Sequence, residues 1–474
     1  MSRALVYGLA VAGESTVRAL LRHGYDVVVA DDDVDERRRD LAGELGVELL
    51  DRPDSSVLTE VIGSCDLVSP APGVPETHAV VVMAQAAGVE LVSEIELAYR
   101  WEQTRPGGPR PMLAITGTDG KTTTTLLAVE MLRAAGLRTV DAGNTSTPLV
   151  DAITMDLDAF VVECTSFRLA WTPTFRTAGA AWLNLAPDHL NWHRSMGTYE
   201  AAKAQIWAHQ GAEDVAVGYV DDPIVMHRLR SAPGRQVTFG GADADYRVDD
   251  GHLVGPGGSI ASVGTMKRSL PHDITNALAA SALILETGLG TTDAIASALA
   301  SFTGPPHRLE HVGTWNDVSW FNDSKATTPH AALAAIRSFD SLVLIAGGYD
   351  KGVDLSTMAV DIHGIDAVVA IGDTAAAIAA AFAGVNTVEV VADLPEAVEV
   401  AARLAIPGAT VLLSPGCASF DQYAGFEARG DHFRQLVVDR FGAPATATAT
   451  NSTTSTTTTT GTTPTIAHHQ GSSR

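Results

Sequence analysis

Residues 113–124 constrain the fold of this chain most, because an apolar run there turns through two glycines into Lys121 and a row of threonines. The residues that follow, through Ala135, show a pattern typical of a helix. An anion at such a turn would meet unpaired backbone N–H groups, the positive end of the helix and the Lys121 ammonium. The sequence therefore predicts a strand, a phosphate-binding turn and a helix, with Thr122 as a magnesium ligand.

The glycine spacing in this turn is shorter than in the general nucleotide-binding motif. That motif reads Gly-x-x-x-x-Gly-Lys, whereas Ile115 stands five residues before Gly120. Only the shorter pattern Gly117-x-x-Gly120-Lys121-Thr122 is present. For these residues alone, a glycine turn that merely caps an ordinary helix is the alternative.

Composition limits the classes of protein that this chain can belong to. The chain has 474 residues, which is enough for two to four domains. Its formal net charge of −24 argues against binding to a nucleic-acid backbone or to an anionic membrane surface. Cys65, Cys164 and Cys417 are scattered, which indicates reduced thiols and no cysteine metal site. Because neither an apolar leader nor a membrane span is visible, we expect a soluble, cytoplasmic protein.

The amino-terminal residues read as a βαβ unit of the nucleotide-binding type. A glycine loop occupies residues 8–13, and Asp31 and Asp32 follow the second strand. A dinucleotide fingerprint would need glycine where Ala10 stands, so an NAD site is not favoured, and a purely structural glycine turn stays open. A Pro/Gly cluster at residues 70–75 predicts a loop at the sheet edge where α/β proteins bind ligands.

Two Pro/Gly-rich stretches, residues 106–111 and 302–310, mark boundaries in the chain. Strands alternating with helices around them predict mostly parallel sheets with helices on their faces. Residues 212–268 read instead as short strands and turns, which predicts a subdomain with little chemistry. From residue 443 onward the chain is rich in Thr, Ser, Ala and Gly, and we expect this tail to be disordered.

Several polar residues in the middle of the chain are ambiguous by themselves. Glu163 ends a predicted strand, where an acid can bind Mg²⁺ or can be an ordinary capping or surface carboxylate. His189 can bind a metal while Asp188 orients its ring, or it can be a structural loop histidine. Lys203, on a predicted helix, reads as a solvated lysine.

Three polar clusters in the last third of the chain each follow an apolar strand, at residues 322–327, 347–352 and 414–421. The carboxyl ends of parallel strands meet at one edge of a sheet. We therefore expect the three clusters to lie together and to form a binding site.

Taken in order, these motifs resemble the Mur ligase family, whose members build the peptide of the bacterial cell wall. The match runs from about residue 1 to residue 442. The motifs that carry it are Gly117-Thr-Asp-Gly-Lys-Thr, Glu163-Cys-Thr-Ser166-Phe167, Asn184-x-x-x-Asp188-His189, Lys203, Thr275-Asn276-Ala277, Pro306-His-Arg308, Asn322-Asp-Ser-Lys325-Ala-Thr327, Ser414-Pro-x-Cys-Ala-Ser419-x-Asp421-Gln and Phe426-Glu-x-Arg429-Gly430.

The resemblance implies an α/β fold with three domains. The expected units are a Rossmann-like amino-terminal domain that binds the UDP substrate (residues 1–105), a central P-loop ATPase domain with a parallel sheet (106–304), a Rossmann-like carboxyl-terminal α/β domain that binds the amino acid (305–442), and the Thr-rich tail (443–474).

The resemblance also implies roles for individual residues. The expected catalytic residues are Lys121, Glu163, His189 and Lys203. The expected ligands of two Mg²⁺ ions are Thr122, Glu163, His189 and Lys203, the last carbamylated by CO₂. ATP is expected to be bound by Gly117, Thr118, Asp119, Gly120, Lys121, Thr122, Thr123, Asn276, Arg308 and Asp323. The UDP substrate is expected at Gly8, Val11, Ala12, Asp31, Asp32, Gly73 and Asn144, and D-glutamate at Lys325, Thr327, Lys351, Ser419 and Phe426.

The last motifs are similar to those of the branch that joins D-glutamate to UDP-N-acetylmuramoyl-L-alanine (UDP-MurNAc-L-Ala) with ATP, through an acyl phosphate. The resemblance thus implies a monomeric ligase of peptidoglycan synthesis with these small molecules as its partners. Two alternatives stay open: a sister ligase for another amino acid or for folate, as in folylpolyglutamate synthase, and a nucleotide-binding regulatory protein without turnover. The second rests on Asp119, which stands where the family commonly has asparagine.

Overall fold

The computed structural model describes residues 2–443. Apart from residue 443, the tail for which disorder is predicted lies outside the described residues. Within the described part, three sheets are packed against helices in an α/β fold. We call each sheet with its helices the amino-terminal, the central and the carboxyl-terminal unit. None of the helices formed by residues 2–443 is both long and apolar enough to cross a membrane.

The amino-terminal unit alternates strands with helices: β1 (Arg3–Tyr7), α1 (Val11–Arg22), β2 (Asp26–Asp31), α2 (Glu36–Leu45), β3 (Glu48–Asp51), α3 (Ser55–Gly63), β4 (Leu67–Pro70), α4 (Ala79–Ala87), β5 (Glu90–Leu91) and α5 (Glu94–Gln103). Its sheet is parallel, with strand order β3-β2-β1-β4-β5. The loops after β1, β2 and β4 therefore meet at one edge, as predicted.

The central unit contains β6 (Met112–Thr116), α6 (Lys121–Ala134), β7 (Thr139–Gly143), α7 (Leu149–Ala152), β8 (Ala159–Glu163), α8 (Ser166–Leu169), β9 (Gly179–Trp182), α9 (Met196–Ala208), β10 (Val215–Tyr219), α10 (Pro223–Leu229), β11 (Arg235–Gly240), β12 (Tyr246–Asp249), β13 (His252–Gly255), β14 (Gly258–Ser262), α11 (Pro271–Glu286) and α12 (Thr292–Ser301). Its strand order is β14-β13-β12-β11-β10-β9-β6-β8-β7. The short strands predicted over residues 212–268 are present, but they do not form a sheet of their own. β10 pairs in parallel with β9 and with β11, so this segment extends the central sheet.

The carboxyl-terminal unit contains β15 (Glu310–Trp315), β16 (Val318–Asn322), α13 (Pro329–Ile336), β17 (Leu342–Gly347), β18 (Ile365–Ile371), α14 (Ala375–Ala381), β19 (Val388–Val390), α15 (Leu394–Leu404), β20 (Thr410–Leu413) and α16 (Phe426–Phe441). Its strand order is β15-β16-β20-β17-β18-β19, and only the β15–β16 pair is antiparallel among these strands. Because β16, β20 and β17 are parallel neighbours, the predicted meeting of the three polar clusters is confirmed.

A continuous apolar core joins the first two units. One buried cluster contains Val6 and Leu20 of the amino-terminal unit together with Phe160 and Trp182 of the central unit. Another covers the opposite face of the central sheet, and the carboxyl-terminal sheet has a core on each face. The carboxyl-terminal unit is instead tied to the central unit by polar contacts, in which Arg268 donates hydrogen bonds to the carbonyls of the connecting segment.

Candidate active site

The phosphate turn, residues 117–120, joins β6 to α6 as the sequence predicts. α6 begins at Lys121, after Gly120, whose φ of 83° favours glycine. A Cβ at Gly120 would lie 2.6 Å from Oδ1 of Asn276, so this glycine also allows α11 to approach the turn. Lys121 folds back over the turn, and its Nζ donates a 3.0 Å hydrogen bond to the Gly117 carbonyl. The turn thus places an ammonium next to backbone N–H groups at a helix start.

Asn184 and Tyr199 hold the phosphate turn from outside. Oδ1 of Asn184 accepts hydrogen bonds from the backbone N–H groups of Thr118 and Asp119, each at 2.9 Å. The Tyr199 hydroxyl lies 3.0 Å from Oγ1 of Thr118. Sequence reasoning placed Asn184 in a motif without a role and missed Tyr199. Their partners lie 65 or more residues away in the sequence, and a local sequence pattern cannot predict contacts at that separation.

Lys203 reaches the same turn from α9. Its side chain is 1% exposed, and its Nζ donates a 2.6 Å hydrogen bond to the Gly117 carbonyl. The solvated lysine expected from the residue pattern alone is therefore wrong, because α9 packs Lys203 against the turn and the Tyr199 ring, 4.7 Å from Nζ. Burial, and then the neighbouring Lys121 ammonium, lower the pKa of Lys203 well below its usual value.

Glu163 ends β8 beside the turn and is 1% exposed. Its Oε1 accepts a 2.8 Å hydrogen bond from Nδ2 of Asn144. Its Oε2 is buried and has no hydrogen-bond partner among the described residues. A buried carboxylate oxygen without a donor is costly unless something absent from the protein chain, such as a cation, occupies the position.

His189 lies half-exposed in the loop before α9. Its Nε2 is 3.2 Å from Oδ2 of Asp188, and its ring packs edge-on against Phe167. Burial lowers the pKa of His189; the Asp188 carboxylate opposes this change, and the ammoniums of Lys121 and Lys203 add to it. The neutral imidazole, which can bind a metal, is therefore favoured near neutral pH.

A cleft of about 390 Å³ separates the central and carboxyl-terminal units next to the phosphate turn. Asn276, Arg308 and Asp323, the three residues predicted to bind ATP from outside the turn, are brought together in its lining, next to Lys325. Asp323 is buried and accepts a 2.8 Å hydrogen bond from the Ser414 hydroxyl. Burial raises the pKa of Asp323 to about 7, against the opposing effects of Ser414 and Arg308.

Asp119 points across this cleft. Its Oδ2 lies 3.5 Å from Nε2 of His330, at the start of α13 in the carboxyl-terminal unit, and both side chains are about half-exposed. Its backbone N–H remains bound to Asn184. The unusual acid in the turn therefore faces the opposite unit as well as the proposed phosphate position.

The residues predicted to receive D-glutamate are only partly assembled. Lys325 and Phe426 are neighbours, with Nζ 5.6 Å from the ring centroid, and Thr327 is partly buried nearby in sequence. Ser419 is buried, whereas Lys351 is exposed on the loop after β17. A bridge between Tyr349 and Ala418 joins the loops after β17 and β20.

Arg429 fastens the loop after β16 to the loop after β20. It is 1% exposed, and its guanidinium donates to the Ser324 hydroxyl and to the carbonyls of Ser324, Cys417 and Ala418, at 2.9 to 3.1 Å. Burial lowers the pKa of Arg429 to about 10. Sequence reasoning quoted Arg429 in a motif but assigned it no role, since its partners become visible only when β16 and β20 pair.

The residues predicted to bind the UDP substrate lie at the carboxyl edge of the amino-terminal sheet. Oδ2 of Asp31 accepts a 2.6 Å hydrogen bond from the Leu9 N–H and thereby braces the glycine loop. Asp32 accepts one from the Tyr7 hydroxyl at 2.6 Å. Val11 and Gly73 of this set are exposed, Val11 by 68%. The remaining members are Gly8 and Ala12 in the same unit and Asn144 in the central unit.

Family models match two long segments of the chain. The Mur ligase middle domain matches residues 115–284, and the "Mur ligase, glutamate ligase domain" matches residues 307–417. Together the two segments cover the phosphate turn, the buried lysines and the first two polar clusters of the carboxyl-terminal unit.

Curated relatives align along most of the chain. A UDP-N-acetylmuramoylalanine–D-glutamate ligase of Frankia casuarinae is 41% identical, over 92% of this chain and 94% of its own. A protein of the same name from Alkaliphilus oremlandii is 37% identical, over 92% of this chain and 98% of its own.

Solved structures share the fold at lower identity. The UDP-N-acetylmuramate–alanine ligase of Thermotoga maritima superimposes with a TM-score of 0.53 at 19% identity, over 93% of this chain and 100% of its own. A pseudomurein peptide ligase type C from Methanothermus fervidus gives 0.55 at 18% identity, with the same coverage. From the two family models and from relatives that align almost end to end, we conclude that the chain belongs to the Mur ligase family.

Proposed function

We propose that the chain is an ATP-dependent ligase that joins D-glutamate to UDP-MurNAc-L-Ala in peptidoglycan precursor synthesis. The observation that carries the proposal is the convergence of Lys121 and Lys203 on the Gly117 carbonyl of the phosphate turn. The Lys121 ammonium and the N–H groups at the helix start form a site for polyphosphate, and Lys203 lies directly beside it. The names of the aligned relatives supply the substrates of the proposal.

We also propose that the three units are the three functional domains, with boundaries at residues 1–105, 106–304 and 305–442. The amino-terminal, Rossmann-like domain would bind the UDP part of the substrate, because Asp31 and the glycine loop lie at its ligand-binding edge. The central P-loop domain would bind ATP. The carboxyl-terminal, Rossmann-like domain would bring D-glutamate to the cleft. We expect a monomer that works in the cytoplasm.

Magnesium fits the donor set in the central unit. Glu163 keeps one buried oxygen without a partner among residues 2–443, and Thr122 and His189 supply a hydroxyl and a ring nitrogen. The described residues contain no group of three or more His, Cys, Asp or Glu side chains that could hold a metal by itself. We infer that these residues, with carbamylated Lys203, hold two Mg²⁺ ions together with phosphate oxygens and water. When bound, Mg²⁺ would neutralise charge on the transferring phosphoryl group.

The environment of Lys203 supports carbamylation. Its lowered pKa populates the neutral amine, which is the nucleophilic form. The amine nitrogen attacks the carbon of CO₂, a C–O bond pair moves onto oxygen, and one N–H proton is released, which leaves a carbamate anion. The carbamate places an anion beside the Lys121 ammonium, where a protonated Lys203 would be repelled by a like charge.

The proposed reaction has two steps. The alanine carboxylate attacks the γ-phosphorus of ATP, ADP leaves, and an acyl phosphate forms. The deprotonated amine of D-glutamate then attacks the acyl carbon, and inorganic phosphate leaves. Lys121 and the N–H groups of the turn would bind the phosphates, while Asn276 and Arg308 would hold the nucleotide in the cleft that they line. Closure of the cleft would exclude water.

Two lysines and a hydroxyl are the proposed partners of D-glutamate. Lys325 and Lys351 would each pair with one carboxylate, and Ser419 would donate a hydrogen bond. Because Lys351 is exposed, we propose that it reaches the amino acid when the carboxyl-terminal unit closes over the cleft.

The assay that tests the proposal measures phosphate release from ATP and Mg²⁺ with UDP-MurNAc-L-Ala and one of several amino acids. We expect release with D-glutamate only. If ¹⁸O is placed in the alanine carboxylate, the acyl phosphate step transfers one labelled oxygen to the released phosphate. Preference for another amino acid would indicate a sister ligase, and no release with any of them would support a regulatory protein.

A second experiment tests Lys203. We expect Lys203→Ala to be nearly inactive and to be partly rescued by short carboxylic acids, which can supply the missing anion. Lys203→Arg, which keeps a cation, is the matched control and should not be rescued. Full activity of the alanine variant without rescue would contradict carbamylation.

A further inference from the structure

We propose that Arg168 and Glu94 form a positioning pair that orients Asn144 and, through it, the magnesium ligand Glu163. The inference rests on the proposed function, because it assumes that Glu163 binds Mg²⁺. Arg168 lies on α8, shortly after Glu163, whereas Glu94 begins α5 of the amino-terminal unit. The pair therefore connects the unit proposed for the UDP substrate to the metal site.

The contact between Arg168 and Asn144 fixes the direction of a carboxamide. Nη1 of Arg168 donates a 2.7 Å hydrogen bond to Oδ1 of Asn144, and Nδ2 of Asn144 donates a 2.8 Å hydrogen bond to Oε1 of Glu163. The reverse orientation would place the amide NH₂ against a guanidinium and its oxygen against a carboxylate. Guanidinium groups only donate and ionised carboxylates only accept, so the charges on both sides allow one orientation.

The backbone holds Asn144 close enough for this contact. β7 and β8 pair in parallel with Gly143 opposite Glu163, and the Asn144 N–H donates a 3.0 Å hydrogen bond to the Glu163 carbonyl. A Cβ at Gly143 would lie 2.6 Å from that carbonyl oxygen, and its φ of 86° also requires glycine. Asn144 is itself exposed, yet both polar ends of its side chain are held by buried charged residues.

The contact between Arg168 and Glu94 is incomplete. Both side chains are buried, but Nε of Arg168 and Oε2 of Glu94 are 3.6 Å apart, and neither atom has a hydrogen-bond partner within residues 2–443. Oε1 of Glu94 is held by the Val150 N–H at 3.0 Å. Glu94 thus places a carboxyl group behind Arg168 without using up its donors, which keeps Nη1 available for Asn144.

A small cavity next to this pair is lined by both units. It is bounded by Glu94, Phe167 and Arg168, by Gly13 and Thr16 of α1, and by the loop that follows β4. The start of α1 and the loop after β4 both lie at the ligand-binding edge of the amino-terminal sheet. The chain of contacts from Glu94 to Glu163 therefore begins beside the proposed UDP site and ends at the proposed metal site.

The test compares Mn²⁺ binding, as a probe for Mg²⁺, in the presence of a non-hydrolysable ATP analogue. We expect Arg168→Met to weaken Mn²⁺ binding by about 10-fold to 100-fold, the usual effect of removing a residue that orients a metal ligand. Arg168→Lys, which can still donate to Oδ1 of Asn144, should recover part of the loss. If Arg168 acts through Asn144, adding Arg168→Met to Asn144→Ala should weaken Mn²⁺ binding no further. The double variant should therefore bind Mn²⁺ as weakly as Asn144→Ala alone.

Arg110→Met is the matched control, because Arg110 pairs with a buried glutamate at the other end of α5 and contacts none of the proposed site residues. It should bind Mn²⁺ like the native chain once its folded fraction, from circular dichroism, is taken into account. If Arg168→Met does not fold, Glu94→Gln and Arg168→Lys give the same comparison, with smaller expected losses.

Native Mn²⁺ affinity in folded Arg168 variants, or losses that add in the double variant, would overturn the inference. The proposed function would survive that outcome, because turnover with D-glutamate is measured separately. Conversely, a native chain without ligase turnover would overturn the proposed function while the Mn²⁺ comparison still decides whether Arg168 acts through Asn144.

Discussion

Helix α5 carries buried glutamates, and the two nearest its ends, Glu94 and Glu102, each face an arginine that lies outside the helix. Glu102 is fully engaged: its Oε1 accepts hydrogen bonds from the backbone N–H and Nε of Arg110, and its Oε2 accepts one from Nη2, at 2.7 to 2.9 Å. Arg110 also donates to the carbonyls of Ile153 and Met155. At the other end, Glu94 and Arg168 approach only to 3.6 Å and leave donor and acceptor atoms unmatched among the described residues.

The difference teaches how the molecule uses buried charge. A buried ion pair stabilises a fold only when hydrogen bonds offset the cost of desolvation. The Glu102–Arg110 pair meets this condition and fastens α5 to the central unit. The Glu94–Arg168 pair does not meet it, and its spare hydrogen-bonding capacity is directed at Asn144 beside the proposed metal site.

The largest expected effect on stability comes from Arg110→Met. The substitution leaves the Glu102 carboxylate buried without its cation, so the free energy of unfolding should fall by about 3–5 kcal/mol. Urea unfolding measures the loss. A loss below about 1 kcal/mol would show that the hydrogen-bonded pair is not the stabilising contact that its geometry indicates.

A smaller effect is expected when the whole pair is replaced. In Glu102→Leu with Arg110→Met no charge is buried, so most of the stability should return. The carbonyls of Ile153 and Met155 still lose their donor, which leaves the variant about 1–2 kcal/mol below the native chain. The same urea experiment decides this, and a double variant as unstable as Arg110→Met alone would contradict it.

Glu94, at the amino-terminal end of α5, should make the free energy of unfolding depend on pH. Burial raises the pKa of Glu94, against the opposing effect of the Arg168 guanidinium. The ionised form is therefore disfavoured in the folded chain, and the contribution of Glu94 to the free energy of unfolding falls as pH rises from about 4, near its unfolded pKa, through the folded pKa.

Glu94→Gln cannot titrate, so its stability relative to the native chain should rise over the same interval. Urea unfolding at several pH values between about 4.5 and 8 checks the sign of this difference. Glu102→Gln, measured in parallel, is the control for loss of a carboxylate on the same helix. A difference that is constant with pH, or that reverses sign, would contradict the expectation.

The smallest effect is expected from a more exposed pair, which joins α5 to β5. Arg100 holds Glu90 with two hydrogen bonds, at 2.6 and 2.9 Å, and the Glu90 side chain is 43% exposed. Glu90→Gln leaves the second contact of Arg100, to Glu96, in place. Because water screens exposed pairs, the free energy of unfolding should change by about 0.2–1 kcal/mol. If Glu90→Gln lost as much stability as Arg110→Met, burial would not explain the difference in stabilisation between the Glu90–Arg100 and Glu102–Arg110 pairs.

Local patterns in the sequence account for much of the site. The strand, turn and helix at residues 112–134 follow from an apolar run, two glycines and a helical pattern that are contiguous in the chain. The three polar clusters of the carboxyl-terminal unit could be placed at one edge because parallel strands share that edge. In contrast, the residue pattern alone placed Lys203 in solvent, because a helix pattern does not tell which face meets a loop 86 residues earlier.

The sequence by itself determined the elements, the phosphate turn and the family, because each depends on residues that are neighbours in the chain or on motifs in a recognisable order. Only the tertiary structure decided which charges are satisfied. Glu102 and Arg110 are eight residues apart, whereas Glu94 and Arg168 meet only after the amino-terminal and central units have packed. The free energy of a buried charge depends on atoms that folding brings within about 4 Å, and chain order alone does not specify that distance.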